Sequence, residues 1–232
     1  MKTLLLDLDD TLLAYSAGVD DSWVEACGAV PLSVDTATLV AALTETRKWF
    51  WSGDPARHAR ERVNMLGAWT KIVAEALVRC GCADDAVAAA IAGDFAARRR
   101  AAMRLFPETR AVLDALRARG LPLALVTNGD VRQQRDKIER HDLARYFGAI
   151  VIEGEFGCGK PDERVYREAL RRLGAQTDGA WMVGDHLEWD VLAPQRLGLT
   201  GVWIDREGAG LPAAHTDARP QRIIRSLSEL LG

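Results

Sequence analysis

Three acidic residues, Asp7, Asp9 and Asp10, stand within the stretch LLLDLDDTLL, directly after an apolar run. Like charges this close repel, and carboxylates at the end of a buried strand lose hydration, so the arrangement needs a compensating partner. If residues 3 to 8 form a strand, Asp7 and Asp9 point to the same side, because strand side chains alternate with period two. Two carboxylates then share one small space, which a hard cation stabilises. Mg²⁺ suits a site with few protein carboxylates and substrate phosphate oxygens to complete its shell. The same residues also read as a surface turn that closes a strand, and this stretch alone leaves both readings open.

Three further clusters have complementary chemistry. In LALVTNGDV a hydrophobic strand delivers Thr127 and Asn128 into a turn at Gly129 that opens a helix. A hydroxyl, an amide and the free N–H groups of a helix start make a phosphate cradle, although TNG is also ordinary turn chemistry. In FGCGKPDERVYREALRRLG, Pro161 suits the first turn of a helix, Asp162 and Glu163 complement its dipole, and Gly174 ends it. Lys160 therefore sits just before a helix start, as a fixed positive charge near a strand end or as a solvated surface lysine. In AWMVGDHLEWDV a buried strand runs into Gly184 and Asp185, with Asp190 at the next helix start as a site residue or a cap.

The elements that position these residues follow from periodicity. Short β-prone runs at 4–6, 121–126, 149–152, 180–183 and 200–204 alternate with helical patterns near 108–119, 131–141, 162–173 and 189–197. This rhythm predicts an α/β fold with a doubly wound parallel sheet, whose ligands bind at the carboxyl ends of the strands. All four clusters lie at that edge. Residues 16–103 carry helical periodicity throughout and read as an all-helical domain inserted after the first strand, so the core is 1–15 with 104–232.

Composition narrows the partners. Lys and Arg number 30 against 33 Asp and Glu, a formal charge of −3 with no basic block, which gives no electrostatic reason to expect nucleic acid or an acidic membrane surface. A small molecule is the expected partner. No membrane span, signal peptide or transit peptide is legible, so a cytoplasmic location is the expectation. Cys27, Cys80, Cys82 and Cys158 lack the spacing of a zinc site and read as free thiols.

The four clusters, DLDDT (7–11), TN (127–128), GKP (159–161) and GDHLEWD (184–190), resemble in order and placement the motifs of the haloacid dehalogenase (HAD) superfamily of phosphohydrolases. The helical insert falls where one branch of that superfamily carries its cap. Within it the chain looks most like N-acylneuraminate phosphatase and the pyrimidine nucleotidases. The resemblance implies a Mg²⁺-dependent hydrolase that removes phosphate from a small phosphorylated metabolite. It implies that Asp7 is the nucleophile that forms an aspartyl-phosphate and that Asp9 protonates the leaving oxygen and then activates water. It further implies that the Asp7 and Asp185 carboxylates and the Asp9 carbonyl hold the metal, with Asp190 behind them. Thr127, the amide of Asn128 and Lys160 would hold the phosphoryl group. Asp10, where the family often has Gly, is assigned no catalytic role.

A phosphomutase or other phosphotransferase would use the same four motifs. A metal-free 2-haloacid dehalogenase is disfavoured because its motif lacks the second acid, present here as Asp9. A receiver-type phosphoacceptor domain is roughly half this length and has no helical insert. Within that insert, Pro55 starts a helix whose apolar stripe runs Ala59, Val63, Leu66, Val73 and Leu77. On one continuous wheel His58, Arg62 and Trp69 fall together along a flank of the stripe and are candidate substrate contacts, the alternative being a solvated basic face with Trp69 packed inside.

Overall fold

The apolar run ahead of Asp7 forms β1 (Thr3–Leu6), buried along its whole length. It is followed in chain order by β2 (Leu13–Ala14), β3 (Arg104–Leu105), β4 (Leu123–Thr127), β5 (Ala149–Ile152), β6 (Ala180–Gly184), β7 (Thr200–Ile204) and β8 (Arg222–Ile224). Six of these build one sheet in the order β5-β4-β1-β6-β7-β8, with every neighbouring pair parallel. The short β2 and β3 pair antiparallel, Leu13 opposite Leu105. The structure is a computed structural model that describes residues 1–232. It contains the doubly wound parallel sheet expected from the βα rhythm.

The helices are α1 (Val19–Gly28), α2 (Thr36–Trp51), α3 (Pro55–Glu61), α4 (Met65–Arg79), α5 (Asp85–Ala102), α6 (Thr109–Ala118), α7 (Val131–Arg140), α8 (Glu153–Phe156), α9 (Glu163–Leu173) and α10 (Ala193–Arg196). A π-helical turn, Leu187–Leu192, leads into α10. The chain divides into two units, Met1–Tyr15 with Arg104–Gly232, and Ser16–Met103.

In the first unit, Leu5, Ala124, Val126, Val151 and Met182 pack from the sheet onto Val165, Tyr166, Ala169 and Leu170 of α9. Leu4 and Leu6 on the opposite pleat are equally buried, so both faces of the sheet are covered, as parallel sheets require. Each such leucine contributes about 1.5–3 kcal/mol of burial. Asp162 caps α9, its side chain accepting from the Arg164 amide, and the helix stops at Gly174 with φ 63°. Pro161 thus lies just outside the helix and not in its first turn.

The second unit is all helix, with Asp35, Asp54 and Asp84 capping α2, α3 and α5 through side-chain bonds to first-turn amides. Its core gathers Trp23, Leu39, Leu43, Ile72, Val73, Leu77, Ile91 and Phe95. Trp23 stacks on Phe95 with ring centroids 3.5 Å apart. The continuous helix expected from residue 55 is interrupted: α3 ends at Glu61, and α4 starts afresh with Asn64 as N-cap, its side chain accepting from the Gly67 amide. An asparagine offers the backbone this local bond in place of helix continuation. The stripe is therefore split, and Leu66 is exposed. All four cysteines are free. No helix is long and apolar enough to cross a membrane.

Candidate active site

Register brings the motifs together. Leu6 of β1 pairs with Leu125 of β4 on one side and Val183 of β6 on the other, so the next residue, Asp7, emerges between the ends of both neighbours. Its amide still donates to the Val183 carbonyl at 3.0 Å. Thr127 ends β4, and Asp185 follows the end of β6. These are the carboxyl ends of the central strands, where open α/β sheets bind ligands.

At the centre is a buried ammonium shared by two buried carboxylates. Lys160 Nζ donates to Asp7 Oδ1 at 2.7 Å and to Asp190 Oδ1 at 2.6 Å. Asp190 Oδ2 accepts from the His186 amide at 3.1 Å, which fixes that carboxylate at the mouth of the π turn. Thr11 Oγ1 donates to Asp7 Oδ2 at 3.2 Å. Asn128 fastens the Lys160 backbone from both sides: its Nδ2 donates to the Lys160 carbonyl at 2.8 Å and its Oδ1 accepts from the Lys160 amide at 2.7 Å. The Asn128 carboxamide thus anchors the lysine loop. Tyr166 O–H donates to the Trp189 carbonyl beneath the π turn. Gly184 is glycine because a Cβ there would meet Asp190 Oδ2 at 2.2 Å.

Burial, opposed by Lys160 and reinforced by Asp190 and Asp9, raises the Asp7 carboxyl to about 7. Burial works against the charge on Lys160, but Asp190 and Asp7 more than offset it and hold its pKa above the ordinary lysine value. Desolvation, followed by Asp7, Asp190 and Asp10, raises Asp185 to about 8. Asp185 as a residue is exposed, yet its carboxylate is turned into the cluster: one oxygen each of Asp7, Asp185 and Asp190 lies within 4.8 Å of the others.

One lysine does not neutralise three carboxylates, and no hydrogen-bond donor of the chain reaches the Asp185 carboxylate. Three hard oxygen donors with uncompensated charge fit a divalent cation. Asp190 belongs to this cluster geometrically, while both of its oxygens are already engaged by Lys160 and His186.

Strand β1 ends at Leu6, and Asp9, near enough that its charge raises the Asp7 carboxyl, pairs with the buried Lys137 of α7 at 2.7 Å. Asp7 and Asp9 thus pair with different lysines. Asp10 adopts φ 55°, a left-handed conformation that aspartate tolerates, and its Oδ1 accepts from the Tyr15 amide. It is a turn residue. Arg206 clamps the same loop by donating to the Asp10 and Thr11 carbonyls and to Glu108.

Thr11, Gln134, Lys137 and Arg206 were not singled out from sequence. The polar helix VRQQRDKIER did carry a signal: α7 has so few apolar residues that any buried face of it must include polar groups.

The candidate substrate residues of the helical unit are divided between two helices, with His58 and Arg62 one turn apart and the Arg62 amide donating to the His58 carbonyl at 3.1 Å. With the helix broken at Asn64, His58 and Arg62 belong to α3 and its C-cap, and Trp69 to α4. His58 lies edge-on to Trp51, with ring centroids 5.4 Å apart. Trp69 is buried and meets Phe95 edge-on at 5.0 Å, so it is core and not a stacking surface.

The chain is similar to known proteins in sequence and in fold. The family model for haloacid dehalogenase-like hydrolases matches residues 1–198. A phosphoserine phosphatase of Thermus thermophilus is 34% identical over 99% of this chain and 98% of its own length. An N-acylneuraminate-9-phosphatase of Rattus norvegicus is 37% identical over 55% of this chain and 51% of its own. In three dimensions, the magnesium-bound HAD hydrolase YfnB of Bacillus subtilis superposes with a TM-score of 0.76 at 20% identity, covering 99% of this chain and 96% of that one. The chain belongs to the haloacid dehalogenase-like hydrolases.

Proposed function

We propose that the protein hydrolyses a phosphate monoester of a small metabolite through an aspartyl-phosphate on Asp7. The observation that carries this reading is the Asp7 carboxylate, buried at a strand end, oriented by Lys160 and Thr11, and set beside Asp185, whose carboxylate lacks a protein donor. The similarity to phosphatases along the whole chain supports it.

An Asp7 oxygen attacks phosphorus as the ester P–O bond breaks, and the departing oxygen takes the proton of Asp9. Water then attacks the phosphoryl group while the Asp9 carboxylate takes a proton from it, releasing inorganic phosphate and restoring both carboxyl groups. Thr127, the backbone amide of Asn128 and Lys160 bind the phosphoryl oxygens, and Lys160 offsets their charge against Asp7. Asp7, Asp185 and the Asp9 carbonyl would hold Mg²⁺, with Asp190 supporting them, and the cation supplies charge neutralisation and alignment of the phosphate. We assign substrate selection to the helical unit Ser16–Met103, as a cap, with His58 and Arg62 as the polar groups to test there.

The experiment is phosphate release from a panel of phosphorylated metabolites that includes L-phosphoserine, with and without Mg²⁺. Turnover of at least one ester that is lost in Asp7→Asn is expected. Equal turnover by wild type and Asp7→Asn overturns the reading.

A further inference from the structure

The Asp9 carboxylate is enclosed by α7. Lys137 Nζ donates to its Oδ1 at 2.8 Å and its Oδ2 at 2.7 Å, and Gln134 Nε2 donates to Oδ2 at 3.0 Å. Gln134 completes the net: its Oε1 accepts from Lys137 Nζ at 2.6 Å and its Nε2 also donates to Thr127 Oγ1 at 2.6 Å. The Lys137 ammonium also stands 4.3 Å from the centre of the Tyr15 ring. All three ammonium protons and both amide protons have acceptors, and Lys137 and Gln134 are almost wholly buried. The two residues, three apart on α7, share one face of the helix.

Stability is a poor reason for such a net. The Lys137 ammonium is desolvated while Asp9 is only partly buried, and apolar residues in place of a buried charge often stabilise a fold as well or better. What the net does supply is geometry. An aspartate in a loop just past a strand end has free side-chain torsions, and acid–base help depends on the proton donor being held within reach of the reacting oxygen. The net ties that carboxylate to Thr127, at the start of the loop that leads into α7.

We propose that Lys137 and Gln134 are positioning residues, which hold the Asp9 carboxylate in fixed relation to the Thr127 hydroxyl for proton transfer to and from the reacting oxygens. The proposal rests on the reading of Asp9 as acid and base. It separates Lys137 from Lys160: the latter acts on the nucleophile and phosphate, the former only through Asp9.

The test compares Lys137→Met, Lys137→Arg and Gln134→Ala in the wild-type and Asp9→Asn backgrounds, with p-nitrophenyl phosphate, whose leaving group needs little protonation, and glycerol 2-phosphate, whose alkoxide needs it. Lys137→Met is expected to lower kcat on glycerol 2-phosphate by about 100-fold and on p-nitrophenyl phosphate by less than about 10-fold, with KM little changed. Lys137→Arg is expected to recover part of the loss, and Gln134→Ala to show the same leaving-group bias more weakly. In the Asp9→Asn background the further loss from Lys137→Met is expected to stay within about threefold, because residues that act as a unit are not additive.

Equal losses on both esters, or a full additive loss in the Asp9→Asn background, overturn the positioning role and leave a structural staple. Should Lys137→Met fail to fold, Gln134→Ala, which leaves the ion pair in place, decides by the same two criteria. A near-wild-type rate for Asp9→Asn on glycerol 2-phosphate would instead overturn the acid–base reading itself. A severe loss there with a harmless Lys137→Met overturns the positioning role alone.

Discussion

Lys160 Nζ lies 2.7 Å from Asp7 Oδ1 with both residues buried, and the same ammonium holds Asp190 at 2.6 Å. Removing one partner of a buried pair leaves uncompensated charge and typically costs about 3–5 kcal/mol. Lys160→Met is therefore expected to lower the thermal midpoint and to reduce phosphate release by about 10²-fold or more, since the phosphoryl group would face Asp7 without that charge. Differential scanning calorimetry and a phosphate-release assay check the two effects. Unchanged stability with unchanged turnover would show that the ammonium is a bystander.

Gly184 borders the same cluster. A methyl group there would lie 2.2 Å from Asp190 Oδ2 and 2.3 Å from its Cγ, so Gly184→Ala must push Asp190 off Lys160. The expected result is a large loss of kcat with the far-ultraviolet circular dichroism unchanged. Wild-type turnover in Gly184→Ala would mean that Asp190 can move without disturbing the nucleophile.

The raised carboxyls make stability depend on pH and metal together. Asp7 and Asp185 rise from the ordinary 3.8 to about 7 and about 8, so between these limits the folded chain binds more protons than the unfolded one. Metal-free protein should then lose stability as pH rises through that window, the reverse of the usual carboxylate behaviour. A divalent cation displaces those protons, so the rise in thermal midpoint on adding Mg²⁺ should be larger near pH 8 than near pH 5. Asp185→Ala should remove most of that difference. An Mg²⁺ shift independent of pH would contradict the assignment of these carboxylates to the metal.

Trp69 distinguishes core from surface in the helical unit. Its ring packs edge-on to Phe95, which in turn stacks on Trp23, so Trp69→Ala should destabilise the protein by about 3–5 kcal/mol. His58→Ala and Arg62→Ala, on half-buried residues of α3 and its cap, should leave the thermal midpoint nearly unchanged and raise KM for the metabolite substrate more than for p-nitrophenyl phosphate. Equal KM on both would remove these residues from substrate selection.

Much of this architecture was legible in the sequence because period and punctuation agreed. The runs at 149–152 and 200–204 are the observed strands, and Gly174 ends its helix in the left-handed conformation that glycine permits. The strand read at 121–126 begins only at Leu123 and runs on to Thr127. Short pairings such as β2 with β3 and the three-residue β8 carry too little periodicity to be seen. The break at Asn64 was hidden because apolar spacing on either side continues in phase, while the interrupting bond is a local side-chain one. Lys137 and Gln134 look, residue by residue, like a solvated helix face. Only the tertiary position of α7 turns them toward Asp9.

The central claim is that Asp7 carries the phosphoryl group. Rapid acid quench during turnover, followed by borohydride reduction and peptide mass spectrometry, tests it most directly, because an acyl phosphate is reduced to an alcohol at the modified side chain. Homoserine at position 7 is expected in wild type, dependent on substrate and absent in Asp7→Asn. Reduction at another residue, or none at position 7 under conditions of rapid turnover, would contradict it.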